Sequence, residues 1–276
     1  MNSQPRDHRA ILPGITTGLA LAFLYAPLLV VVLFSFHETA SLTLPFRGFS
    51  LQWYERVFAD PEIGVALRRS VTVGVVTSLL TLVLGTAAAY GLTRSSSRLR
   101  GPLAMLFFLP LALPGLFLGI AMLSWFTQIG MQLSSTTIVI AHWVYAMPFF
   151  MILARIALER LDPMLEDAAA DLGAGPATIF RRVTLPQVWP VLVSGAALVF
   201  MLSFDEFVIT YFIAGSDQTL PLLVFAKLRR TIDPTINVVS TLLLAFSFAL
   251  WVTAAFLATR GARRHRRPVA VLGGAP

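Results

Sequence analysis

The sequence predicts an all-α, polytopic membrane protein with six transmembrane helices. Three observations predict it. Hydrophobic residues make up 57% of the 276 and charged residues only 13%, where soluble domains carry about 25% charged residues. The mean hydropathy is +0.77. Six apolar runs, each as long as the roughly 20 residues that cross a bilayer, follow one another along the chain.

The first run, about Ile11–Phe36, follows Arg6 and Arg9. Its apolar core exceeds the roughly 7–15 residues of a signal peptide and no A-x-A site follows, so it reads as an uncleaved span. The second, about Val71–Leu92, ends at Arg94, Arg98 and Arg100. The third, about Leu103–Phe126, carries Pro110 and Pro114, and the fourth, about Thr136–Leu158, carries Pro148. Each proline removes an intrahelical hydrogen bond, so bends are expected there. The fifth is about Val188–Ala214. The sixth, about Ile236–Thr259, ends at Arg260 and is followed by Arg263, Arg264, Arg266 and Arg267 in a basic tail, 260–276. Gly74, Gly85, Gly91, Gly119 and Gly195 are expected to permit close helix packing. Trp125, Trp143 and Trp251 read as interface or packing residues, and the tail arginines as a lipid-headgroup anchor.

Lysine and arginine placement sets the orientation. With the N-terminus inside, the inner segments hold twice as many basic residues as the outer ones, which places both termini in the cytoplasm. The outer loops, about His37–Ser70 and Gly215–Thr235, are rich in aromatic and apolar residues and are expected to form short packed helices. The net charge of +7 does not point to nucleic acid, because the basic residues flank apolar runs rather than forming a stripe with interleaved aromatics. The four histidines are far apart and form no HxxxH pair, and no cysteine is present, so neither a metal site nor a disulfide is expected.

The segment Leu161–Pro186 is the longest inner connection between spans, and it is built as a helix, a turn and a helix. Asp162-Pro163 starts the first helix, with aspartate as cap and proline in the first turn. Glu166 and Asp167 lie near its positive end. Ala168, Ala169 and Ala170 leave a nearly bare surface, and Gly173 stands where a helix end needs a left-handed residue. Gly175-Pro176 starts the second helix, Ile179, Phe180 and Val183 form its apolar face, and Leu185-Pro186 is expected to stop it and begin the fifth span. Such a compact plug suits docking into another protein's groove. The alternative is a loop packed on its own bundle.

This segment resembles the EAA signature of permease subunits of ABC importers: Glu-Ala-Ala, three residues, Gly, nine residues, Ile, one residue, Leu-Pro. Here it reads Asp167-Ala168-Ala169, then Gly173, then Val183, Thr184 and Leu185-Pro186, with Asp for Glu and Val for Ile. Glu166 beside it keeps the acidic character. The stretches "LPLALPGLFLGIAML" and "SFDEFVITYFIAG" resemble the spermidine/putrescine permease group, second permease subunit. The resemblance implies a type I ABC importer permease fold in a bacterial inner membrane. It implies that Glu166, Asp167, Ala168, Ala169, Gly173, Val183, Leu185 and Pro186 couple the chain to an ATPase. It implies a second permease subunit, two cytoplasmic ATP-binding subunits and a periplasmic substrate-binding protein as partners. The chain has no GxxxxGK[ST] phosphate loop, so ATP and magnesium are expected on the partner ATPase, with no cofactor on this chain. The expected cargo is a polyamine; an amino-acid-like solute, another organic cation or ferric iron are the alternatives.

Asp205 and Glu206 are the conspicuous charges inside a span. Each acid there costs roughly 2.5–3.5 kcal/mol on the insertion scale, so such residues usually face water or a partner. Neighbouring helix positions point about 100° apart, so both acids are not expected to face one spot. Glu206 would share a stripe with Ser203 and Thr210, while Asp205 would share a face with Met201, Ile209 and Phe212, which suggests packing or a local break. Either the acids line a cation path, with Ser203 and Thr210 beside them, or they pair with basic groups of a partner subunit or cap an interrupted helix. A gradient-driven transporter remains a less favoured reading, since no internal repeat is evident and the loop would then have no role. A membrane-anchored sensor would need a sizeable soluble domain, and no such segment is evident.

Overall fold

The computed structural model describes residues 8–39, 46, 48–230 and 234–265. Among the described residues there is no β-strand, only an isolated bridge between His37 and Phe49. Contacts group the chain into two compact units, Met1–Ile63 with Val224–Phe246, and Gly64–Leu223 with Ser247–Pro276.

The first run forms α1, His8–Ser35. It is apolar on every side, and Phe23, Leu19 and Leu29 are 81%, 66% and 66% exposed. A helix of this kind needs a lipid or protein neighbour all round. The short helix α2, Gln52–Ala59, is amphipathic and buries Trp53 and Val57. It is tied to the end of α1: Ser35 and Tyr54 hydroxyls lie 2.8 Å apart, and the Trp53 indole donates to the His37 carbonyl at 2.7 Å.

The second run is longer than its apolar pattern implied. It forms α3, Pro61–Arg94, a continuous helix of 34 residues, or about 51 Å at 1.5 Å per residue. Asp60 caps it by accepting the Glu62 amide at 2.9 Å, and Pro61 fits the first position. Its π-helical segment, Thr81–Gly85, lies in the middle.

The third run is not one span-length rod. It divides into α4, Arg100–Ala112, and α5, Gly115–Gln128, which meet at 110°. Pro114 is the cause: it drives Leu113 into an extended conformation, ψ 125°, and the helix cannot continue. Pro148 behaves differently. Helix α6, Ser135–Glu159, runs through it unbroken and begins with a capping box between Ser134 and Thr137. Helix α7 is Pro163–Asp171, α8 is Pro176–Asp205 and α9 is Val208–Ile213. The fifth predicted span therefore stops at Asp205 and resumes after Phe207, rather than running to Ala214 as one helix. Helix α10, Leu220–Arg230, buries Leu220, Leu222 and Leu223, so α2 and α10 are the short packed helices expected in the two loops that the basic residues assign to the outer side. The sixth run lies in α11, Thr235–His265. Four described helices are long and apolar enough to cross a membrane, the bent pair makes a fifth, and Thr235–Ala249 is a shorter apolar stretch. The side chains of Trp251 and of the tail arginines lie outside what is described.

Two buried clusters hold the larger unit together. One centres on Phe150 and Met151 of α6 with Leu192 and Val199 of α8. The other joins Phe126 of α5 and Ile138 of α6 to Ile209 and Ile213 of α9. Glycines make both possible. A Cβ on Gly85 would lie 2.7 Å from the Phe150 ring, and one on Gly195 would lie 3.0 Å from its other edge. The ring thus sits between two bare backbones. Gly119 meets the Ile209 backbone and Phe212 ring in the same way, at 3.2 and 2.8 Å, and Gly74 meets Phe200 at 3.0 Å, whereas Gly91 has open space.

Phe150→Ala is expected to lower stability by about 3–5 kcal/mol through the cavity it leaves. Gly85→Val and Gly195→Val are expected to cost about 1–3 kcal/mol each by overpacking. Thermal unfolding in detergent reads both, and an unchanged midpoint in Gly85→Val would contradict the packing described.

Candidate functional site

Two regions bring the sequence-predicted residues together. The first is the connection between α6 and α8. Asp162 accepts the Met164 amide at 3.0 Å and starts α7, with Pro163 in the first turn. The helix ends at Gly173, whose φ of +82° suits glycine. The Gly173 amide donates to the Ala170 carbonyl at 2.8 Å and the Ala174 amide to the Ala169 carbonyl at 3.0 Å. This pair of bonds is the Schellman ending, which satisfies carbonyls the helix leaves free. The turn projects outward: Leu172 is 89% exposed and Met164 73%. Asp167 and Ala168 are exposed, and Ala169 is half-buried.

Leu185-Pro186 does not stop a helix here. Residues 176–205 form one helix, and a π-helical turn, Phe180–Thr184, precedes the proline. The wider turn accommodates the missing amide and the ring, which in a regular helix would strike the carbonyl four residues back. Val183 and Leu185 are half-buried against the bundle, and Pro186 is exposed.

Glu166 is the anchor of this region. Its carboxylate faces Arg94 at the end of α3, with Nη2 donating to Oε1 at 3.0 Å and Nε 2.8 Å from Oε2. The Thr184 hydroxyl donates to the same Oε1 at 2.6 Å. Burial alone would raise the carboxyl, but the bonds from Arg94 and Thr184 and the arginine charge hold it below the usual carboxylate range. Its charge, and the bonds that depend on it, are therefore present at neutral pH and lost as the pH falls through the lowered value. The sequence offered no hint of the partners, which lie 72 and 18 residues away.

The second region is the break between α8 and α9. Glu206 is extended, ψ 115°, and one of its carboxylate oxygens accepts the Ile209 amide at 2.9 Å. It thereby caps α9. Because the helix ends at Asp205, the two acids escape the 100° rule: both line one open cleft of about 250 Å³ with Tyr145, Met201 and Leu202. Ser203 and Thr210 are elsewhere. Both are buried, and both bind His142, whose Nδ1 lies 2.8 Å from the Ser203 hydroxyl and Nε2 2.8 Å from the Thr210 hydroxyl. The Thr210 proton goes to the Glu206 carbonyl at 2.9 Å. Its oxygen must then accept from Nε2–H. The imidazole thus bridges the two halves of the broken helix. Thr137 of α6 completes the join by donating to the Ile213 carbonyl at 2.8 Å. Sequence reasoning passed over His142, Tyr145 and Arg94. A polar ring within an apolar run was the signal available for the first.

The model of the binding-protein-dependent transport system inner membrane component matches residues 81–267, a stretch that holds both regions. The chain belongs to this family. Among the permease's relatives, the putrescine transport system permease protein PotI of Escherichia coli (strain K12) is 32% identical over 91% of this chain and 92% of that one. The spermidine/putrescine transport system permease protein PotC of Haemophilus influenzae is 31% identical over 84% and 90%. The sulfate transport system permease protein CysT of Salmonella typhimurium is 29% identical over 93% and 96%. A solved bacterial ABC transporter that imports the acidic polysaccharide alginate superposes with TM-score 0.71 over 94% of this chain and 99% of that chain, at 16% identity. The permease therefore has the type I ABC importer permease fold and is a multi-pass membrane protein.

His142→Leu removes both bridging bonds from a buried site, and the expected loss is about 1–3 kcal/mol. Combined with Ser203→Ala it should cost clearly less than the sum of the two single changes. Unfolding midpoints of the purified permease decide it. Strict additivity would mean that His142 and Ser203 are not bonded.

Proposed function

We propose that this permease is one half of the translocation pore of an ATP-driven importer, that it moves a polyamine into the cytoplasm, and that residues 161–186 are its contact with the motor. The outward-projecting, Schellman-capped turn at Gly173, within the family-matched segment, carries this reading. Its bare alanines and exposed Met164 and Leu172 form a small rigid plug, and a long exposed apolar tip on a loop is unfavourable without a partner. Asp167, Ala168, Ala169 and Gly173 shape the plug, Glu166 anchors it, and Val183, Leu185 and Pro186 join it to the fifth span. Two cytoplasmic ATPase subunits receive it and its counterpart on a second permease subunit. ATP and magnesium stay on those subunits, and this chain does no covalent chemistry. A periplasmic binding protein delivers cargo to the outer side, and both termini face the cytoplasm, as the basic residues favour.

The cargo assignment rests on the polyamine permeases among the relatives and on the Asp205–Glu206 cleft. Paired carboxylates suit a solute whose main handles are positive charges. Ser203 and Thr210, buried on His142, support the cleft rather than line it. The sulfate permease among the relatives supports a second reading, an anion importer, but two carboxylates in the cleft oppose an anion.

A pull-down from gently solubilised native membranes tests the motor contact. An ATPase subunit is expected with the wild type and is expected to be lost with Gly173→Trp, which strains a left-handed position and crowds the tip. Failure to recover an ATPase from a folded permease that transports on an ion gradient alone would refute the proposal. Uptake tests the cargo. In a strain without other polyamine importers, Asp205→Asn is expected to cut putrescine uptake about 10-fold, the scale of one lost charged contact. Sulfate uptake with no polyamine uptake would favour the second reading.

A further inference from the structure

Glu166 does more than the plug requires. The surfaces that would face a partner, Leu172, Met164 and Ala168, are exposed, whereas the Glu166 side chain is only 16% exposed and points back into this chain. There it meets two separate spans at once. Arg94 is the last residue of α3, and Thr184 ends the π-helical turn inside the continuous helix, Pro176–Asp205, that becomes the fifth span. An apolar contact runs beside the polar one, since the rings of Tyr90 in α3 and Phe180 in the π turn are 4.7 Å apart. The charges also suit the helix ends: Glu166 is in the first turn of α7 and Arg94 in the last turn of α3.

We propose that Glu166 is a positioning residue that clamps the plug to the second and fifth spans, so that displacement of the plug is delivered to both spans through the Arg94–Glu166–Thr184 contact. This rests on the motor-contact reading above. The clamp is a two-ended device: one carboxylate oxygen is shared by Arg94 and Thr184, so neither span can leave the plug without breaking a charge-assisted bond. Loss of the clamp does not remove the plug from the motor. It removes the transmission from the plug to the spans.

The test uses the assembled transporter, with its ATPase subunits and binding protein, in liposomes, with putrescine as the probe. ATP hydrolysis and putrescine uptake are measured on the same preparation. Glu166→Gln and Arg94→Gln are each expected to lower uptake per ATP hydrolysed by about 10-fold, within the usual range of coupling between sites. The exchanged pair, Arg94→Glu with Glu166→Arg, is expected to restore most of that ratio. Thr184→Val should lower it roughly threefold, as loss of one hydrogen bond would, and Thr184→Ser should not. A merely structural role would lower uptake and hydrolysis together and leave their ratio unchanged, and that result overturns the proposal. So does an exchanged pair no better than either single change. If the wild type hydrolyses ATP but takes up no putrescine, the polyamine assignment fails alone, and stimulation of hydrolysis by the binding protein becomes the readout, with the same order of variants expected. If no ATPase assembles with the wild type, the motor-contact reading fails and the clamp with it.

Discussion

A helix that stops within a bilayer leaves backbone groups that no water can reach, and the architecture around the fifth span answers that constraint. In lipid each such group must be satisfied from inside the protein. Around the break after Asp205, side chains of the break itself and of α6, α8 and α9 make such bonds and tie the two halves together. Glu206 takes an amide of α9, Thr210 returns a proton to the Glu206 carbonyl, Thr137 covers the Ile213 carbonyl, and His142 bridges Ser203 to Thr210. Once these bonds are made, Asp205 and Glu206 can share a cleft that an unbroken helix would deny them. The site is thus a product of the break.

The same logic of local exceptions runs through the loop. A π-helical turn lets Pro186 lie inside a continuous helix, and a left-handed glycine lets α7 end without wasted carbonyls. The result is stiff. A stiff plug suits transmission because a flexible one would absorb displacement before passing it on. Its rigidity comes from backbone bonds and one buried-side ion pair rather than from a hydrophobic core of its own, and α7 contains no buried residue.

Much of this was legible in the chain. The apolar runs, the Asp162-Pro163 start and the Gly173 end depend on local physics, and local physics is written in adjacent residues. The packing glycines were legible for the same reason, except Gly91, which borders open space. Pro114 turns the chain by 110°, as a proline bend was expected to, whereas Pro186 is absorbed where it was expected to stop the helix, because the outcome depends on whether the preceding turn can widen. Ser203 and Thr210 were grouped with Glu206 by helical spacing, and spacing fails where the helix stops. His142 and Arg94 act on partners 61 to 72 residues away, beyond the reach of any periodicity.

The Phe150 ring, set between Gly85 and Gly195, has a mechanical consequence. The residues on either side of those glycines carry side chains. A slide of α3 or α8 along α6 by one helical turn would bring a Cβ against the ring, from Ala88 or Ala89 on α3 and from Leu198 or Val199 on α8. The two glycines therefore act as notches and the ring as a key, and the three helices have one register in which they fit. Any motion of the permease must then carry these three helices together as a block.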